Sequence, residues 1–196
     1  AQEKIDRILA EAWPHIGTAA RSSGIDEFAM VQWLSEAMKR EGMVWEHGPN
    51  VSCGPNAADS HYEPAATNSK AIRKGDFVLI DIWGKLDRPG SVYYDITWTG
   101  VVDREPTEKE TAVFNAVCDA RDAANATVKD AYAGQQQIAG WEADEAGRNV
   151  NRAAGCGEGF SDRNGHHHGP EDHGARATQD KRESQAVRPR TPNKAV

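Results

Sequence analysis

Apolar positions recur at helical spacing from the start of the chain. Ile5, Ile8, Leu9, Ala12, Trp13 and Ile16 fall on one stripe and predict a helix over residues 3–20, with Pro14 expected to kink it. A second helix is predicted from Asp26 to Arg40, with Phe28, Val31, Leu34 and Met38 as its buried face and Gly42 placed to end it. The stretch MVWEHGPNVSCG reads as extended. In residues 75–102, two runs rich in Val, Ile, Trp, Tyr and Thr flank the turn-forming cluster LDRPG and predict a β-hairpin. A third helix opens at Pro106–Thr107, where Thr107 and Glu110 match a capping box. Its expected apolar stripe is Val113, Val117, Ala120, Ala124 and Val128, and Gly134 follows its end. A fourth helix is expected from Glu142 to Ala154, stopping at Gly155.

Composition bounds this picture. The chain has 196 residues, a hydrophobic fraction of 38% and a net charge of -7, enough for one domain with a core or most of a larger one. No long basic block occurs before Gly174, which argues against a nucleic-acid partner. No apolar run approaches membrane-spanning length, and the opening residues show no signal-peptide core. Cys53, Cys118 and Cys156 are widely spaced and odd in number, as expected of reduced thiols in the cytoplasm. After Gly174 the character changes. The last 22 residues hold six Lys or Arg against two acids, net +4, with no aromatic, Leu or Ile. Such a segment buries too little surface to offset its ordering entropy, so residues 175–196 are expected to be a disordered tail beside a domain at 1–174.

Two aspartates carry the candidate chemistry. Asp81 lies in VLIDIWG and Asp95 in VYYDITWTG, within the two predicted hairpin strands. A carboxylate inside an apolar strand is costly unless it is paired or binds a metal. If the connecting loop holds three residues, Asp87 to Pro89, the two are directly opposed, with Cβ atoms roughly 5 Å apart. Like charges that close repel unless a cation lies between them, which points to a divalent metal with oxygen ligands. The competing reading is that one aspartate caps the turn or faces solvent. A second cluster, NGHHHGPEDHG at 164–174, places His166, His167, His168 and His173 in one glycine-rich stretch.

In this order the residues resemble the pita-bread-fold metallopeptidases, which include methionine aminopeptidase, Xaa-Pro aminopeptidase and prolidase. GDFVLIDIWG…SVYYDITWTG is similar to that family's paired-aspartate hairpin, NAADSHYEP to its substrate-histidine segment, and NGHHHGPEDHG to its TGHxIGxxxHG segment. The resemblance covers about residues 1–174. It implies an α+β fold, the creatinase/aminopeptidase-like catalytic domain. It implies hydrolysis of the N-terminal peptide bond of a peptide, Xaa-Pro bonds included, by a hydroxide held between two divalent metal ions, Mn, Co or Zn. In that scheme Asp81 binds one metal, Asp95 bridges both and His166 binds the other. His61 and His173 act on the substrate side as catalytic residues, while His167 and His168 are bystanders.

The pattern then breaks. The family's later EPG-type glutamate and its final bridging glutamate have no counterpart, since the only Glu after Gly174 is Glu183, in DKRESQ. Three of five implied ligands are present. The expectation is therefore a domain lacking its closing C-terminal strands, with impaired metal binding and an exposed edge at the hairpin, an edge that a homodimer could cover. A shifted reading frame would produce such an ending. The alternative from another class is a non-catalytic pita-bread module that binds peptides or a partner. A creatinase-like metal-free hydrolase is disfavoured by the retained aspartate pair, and an α/β domain with an adventitious histidine cluster is the blandest reading.

Overall fold

The protein is described by a computed structural model covering residues 1–59, 62–159, 165, 166, 169, 170, 186 and 187. It divides into two compact units. The first takes residues 1–106 together with Gly169 and Pro170. The second takes the described residues from Thr107 to His166 and Ala186–Val187.

In the first unit, helix α1 (Gln2–Arg21) runs through Pro14, and of its expected stripe Ile5, Ile8, Leu9, Ala12 and Ile16 are buried while Trp13 is half-buried. Strand β1 (Ile25–Asp26) leads into helix α2 (Glu27–Arg40), where Asp26 caps the helix by accepting from Ala29 N at 2.7 Å. The buried face of α2 keeps the expected Leu34 and Met38 but is otherwise different. It consists of Glu27, Met30, Leu34, Ala37 and Met38, while Phe28 and Val31 are only half-buried. Lys4 Nζ, 2.6 Å from a Glu41 carboxylate oxygen, ties α1 to the end of α2.

Strands β2 (Met43–Val44), β3 (Asn50–Cys53), β5 (Phe77–Leu86) and β6 (Tyr94–Val101) form one antiparallel sheet, and β4 (Ala71–Ile72) pairs β1. Residues 78–81 of β5 pair β3 and β6 at once, so β5 is central along that stretch. Among the described residues β6 has no strand partner besides β5. Alternation along β5 separates two faces. Val78, Ile80 and Ile82 are fully buried and join Ile5, Leu9, Met30 and Leu34 in the core. Burying each such side chain stabilises by about 1.5–3 kcal/mol. Phe77, Leu79, Asp81, Trp83 and Lys85 occupy the other, half-buried face. Gly100 of β6 lets α1 approach, because a Cβ there would lie 2.9 Å from the Trp13 ring.

The hairpin loop is longer than expected. Gly84 pairs Tyr94, which leaves residues 87–93 outside both strands. Tyr93 is buried and its N–H donates to Gly169 O at 3.0 Å instead of entering the ladder. Lys85 Nζ donates to Pro170 O close by.

In the second unit, helix α3 (Glu108–Ala133) opens with the expected capping box, Thr107 Oγ1 accepting from Glu110 N and Glu110 accepting from Thr107 N, and ends at Gly134. Strand β7 (Ile138–Ala139) precedes helix α4 (Gly140–Ala153), and α3 packs against α4. The α3 stripe needs correction in part. Ala120 and Ala124 are buried as expected, Ala116 and Ala131 join them, Val128 is half-buried, and Val113 and Val117 are 41% and 49% exposed. Alanines on one face allow close helix approach, and Val113 and Val117 are turned away. The tail expected at 175–196 lies outside the described residues except at strand β8 (Ala186–Val187), which pairs β7. Among the described residues no helix is long and apolar enough to cross a membrane.

Candidate functional site

The hairpin register decides how the two aspartates meet. Asp81 stands opposite Thr97, and Asp95 stands opposite Trp83. The expected direct opposition of Asp81 and Asp95 is therefore corrected. The longer 87–93 loop slips the pairing by two residues. A slip of two preserves the face, since side chains alternate with a period of two. Asp81 and Asp95 thus share one face as diagonal neighbours, with Cβ atoms roughly 7 Å apart or slightly less. Both are half-buried.

Asp81 is held from its neighbouring strand. Thr97 Oγ1 donates to Asp81 Oδ1 at 2.6 Å. On the other side Asn50 of β3 is its register partner. Asp81 also lines a cavity of about 390 Å3, with Trp83, Asn50, His47, Tyr62 and Glu63 among its walls. The cavity mixes aromatic surface with two carboxylates, and among the described residues no Lys or Arg lines it. That lining suits a ligand with an apolar body and a positively charged end.

Glu27 was invisible to the sequence reading. It is 0% exposed, the first residue of α2, and accepts from Tyr62 OH at 2.5 Å, Cys53 N at 2.7 Å, Lys70 N at 2.8 Å and Asn56 Nδ2 at 3.1 Å. Burial pushes its pKa up, but Tyr62, the two backbone amides and Asn56 together hold it below the usual glutamate range. The same surroundings act oppositely on its neighbours. Burial and then the Glu27 carboxylate push the Cys53 thiol up to about 12 and raise the Tyr62 phenol as well. The missed signal was the stripe 27, 30, 34, 37, 38, which has better helical spacing than the all-apolar choice but includes a charge. His47 was missed too, and no spacing marked it.

The remaining expected site residues are distributed as follows. His166 is half-buried and belongs to the second unit. His61 and His173 lie outside the described residues, as do the bystanders His167 and His168. Among the described residues no three His, Cys, Asp or Glu side chains gather as a metal cluster. The hairpin pair fits part of a divalent-cation site: it offers hard oxygen donors on one face, and a hydroxyl orients one of them.

Comparison with known proteins settles the ancestry. The model of metallopeptidase family M24 matches residues 1–191. The chain belongs to metallopeptidase family M24. YkvY of Bacillus subtilis (strain 168), named as a provisional dipeptidase, is 28% identical over 159 residues, 81% of this chain and 40% of YkvY. The crystal structure of dipeptidase PepE from Mycobacterium ulcerans aligns with a TM-score of 0.71 at 26% identity, over 89% of this chain and 43% of PepE. The Xaa-Pro dipeptidase from Bacillus anthracis aligns with a TM-score of 0.63 at 25% identity, over 90% of this chain and 48% of that enzyme. The M24 assignment carries the α+β pita-bread fold with it. The chain spans less than half the length of each of these relatives.

Proposed function

We propose that this M24 chain carries part of a metal-dependent aminopeptidase or dipeptidase site, with Xaa-Pro peptides as the substrate class. One observation carries the reading: Asp81 and Asp95 share a face of the hairpin, and Asp81 also lines a cavity of peptide-end size. The names of the relatives, a provisional dipeptidase, a dipeptidase and an Xaa-Pro dipeptidase, support the substrate class.

In this reading Asp81 and Asp95 hold divalent cations, Mn, Co or Zn, through their carboxylate oxygens. The assignment of His166 as a further ligand, and of His61 and His173 to the substrate, rests on sequence resemblance. Bound there, the cations would supply Lewis acidity that polarises a scissile carbonyl and acidifies a water. Thr97 fixes one Asp81 oxygen by its hydrogen bond, leaving the carboxylate's direction set by the strand pair. Trp83 and Tyr62 provide apolar walls, and Glu63 and Asp81 favour a protonated amine. The two glutamates implied by the family have no match in these 196 residues. We propose that metal affinity and turnover of this chain are impaired on that account. A cytoplasmic location is proposed on the strength of its three free cysteines.

The missing glutamates also favour a second reading, a non-catalytic pita-bread module that binds peptides. The experiment separating the two is release of the N-terminal residue from Xaa-Pro peptides with added Mn2+ or Co2+, for wild type and Asp95→Asn. Metal-dependent turnover that falls to background in Asp95→Asn supports the enzyme. Peptide binding without turnover supports the module.

A further inference from the structure

We propose that Glu27 is a positioning residue that, through the Tyr62 hydroxyl, fixes the cavity wall facing Asp81. The proposal rests on the reading of that cavity as a peptide site for its functional meaning, though its geometry stands apart from turnover. Glu27 itself touches no cavity space, and its influence passes through one neighbour.

The connection can be followed bond by bond. Glu27 Oε2 accepts from Tyr62 OH at 2.5 Å. Tyr62 O accepts from Asn50 Nδ2, and Asn50 is the register partner of Asp81 on β5. Tyr62, Asn50 and Asp81 line the same cavity. The path therefore runs from the first residue of α2 to the β3–β5 ladder beside Asp81.

A buried carboxylate is retained only when its lone pairs are satisfied. Glu27 meets that condition with donors from both ends of the 53–70 segment, Cys53 N and Asn56 at one end and Lys70 N at the other. It also stands at a helix N-terminus, where the macrodipole favours negative charge. Those donors would suffice to anchor the segment ends. The Tyr62 bond is different, because it reaches the part of the segment that forms the cavity wall. Burial and the adjacent carboxylate raise the Tyr62 phenol, so it stays a proton donor at neutral pH.

The test is residue-resolved amide hydrogen exchange on the full chain, without metal or peptide, for wild type, Tyr62→Phe, Glu27→Gln and the double variant. Tyr62→Phe keeps the ring and removes only the tie. The expected result is an exchange rate at least tenfold faster at Asn50, Tyr62 and Glu63 in Tyr62→Phe, with Ile5, Leu9 and Ile16 unchanged. Glu27→Gln should show the same local increase, and adding Tyr62→Phe to it should give no further local increase. Unchanged exchange at Asn50, Tyr62 and Glu63 in Tyr62→Phe overturns the proposal. So does a uniform rise across the whole first unit in Tyr62→Phe, or a further full local increase in the double variant, because each marks Glu27 as a general structural anchor. If Glu27→Gln does not fold, Tyr62→Phe alone decides between the local and the null result. Where wild type turns over Xaa-Pro peptides, Tyr62→Phe should raise KM more than it lowers kcat. Absence of turnover in wild type would count against the peptidase reading and leave the exchange result intact.

Discussion

Asp81 faces Thr97 across the β5–β6 ladder, and Thr97 Oγ1 donates to Asp81 Oδ1 at 2.6 Å. Asp95 lies one step along the diagonal on the same face. The hydroxyl restrains the Asp81 carboxylate without adding charge. Thr97→Val keeps the β-branched shape and removes the donor. Mn2+ affinity measured by titration should drop by about tenfold, the lower end of the effect of losing a hydrogen bond that orients a metal ligand. Unfolding free energy should change by less than about 1 kcal/mol, because Thr97 is exposed.

Glu27 should make stability depend on acid. Its folded-state pKa lies below the ordinary glutamate value of 4.5. A depressed carboxyl contributes stability above the unfolded pKa and loses it as pH falls through the folded value. Glu27→Gln should therefore cost about 3 kcal/mol at pH 7, the scale of hydrogen bonds to a buried charge. The gap between wild type and variant should shrink as pH drops below about 4.5. Urea unfolding at pH 7, 5 and 3.5 measures it, and a gap that does not vary with pH contradicts the assignment.

The three thiols should react in a fixed order. Cys53 is buried, and burial with the Glu27 carboxylate pushes its thiol up to about 12, while Cys118 and Cys156 are partly exposed. Iodoacetamide at pH 8 should label Cys118 and Cys156 in the folded protein and reach Cys53 only on unfolding. Because the Cys53 thiol is held protonated in the fold, its contribution to stability is complete below about pH 8.5 and is lost as pH rises from there toward 12. Mass spectrometry of the labelled peptides reads the order directly.

The two faces of α3 should respond oppositely to substitution. Ala120 is 1% exposed on the side packed toward α4, whereas Val117 is 49% exposed. Ala120→Leu overpacks a close helix contact and should cost about 1–3 kcal/mol. Val117→Thr should stay within about 0.5 kcal/mol. Equal costs at the two positions would contradict the buried alanine stripe.

That stripe shows where sequence reading reached its limit. Alanine and valine are both apolar, so periodicity alone could not say which face of α3 packs. On α1 only one face is apolar, and the pattern located it. The capping box at Thr107 was legible because its two bonds are local. The hairpin was legible as a hairpin, and the shared face of Asp81 and Asp95 survived because the register slipped by two. The register itself was not legible, since the loop is longer than the turn cluster suggests and Tyr93 N bonds Gly169 O, 76 residues further along the chain, outside the ladder. Glu27 was hidden for a similar reason. Its donors come from Cys53, Asn56, Tyr62 and Lys70, and only the folded chain assembles them.

The central claim is that the hairpin carboxylates form part of a metal site. Mn2+ binding followed by electron paramagnetic resonance tests it most directly, with wild type, Asp95→Asn and a variant in which His167 and His168 are replaced by Asn. The account predicts binding in wild type that is lost in Asp95→Asn and kept in the double histidine variant. Binding that survives Asp95→Asn but disappears with the two histidines would contradict it and assign the metal to the histidine cluster.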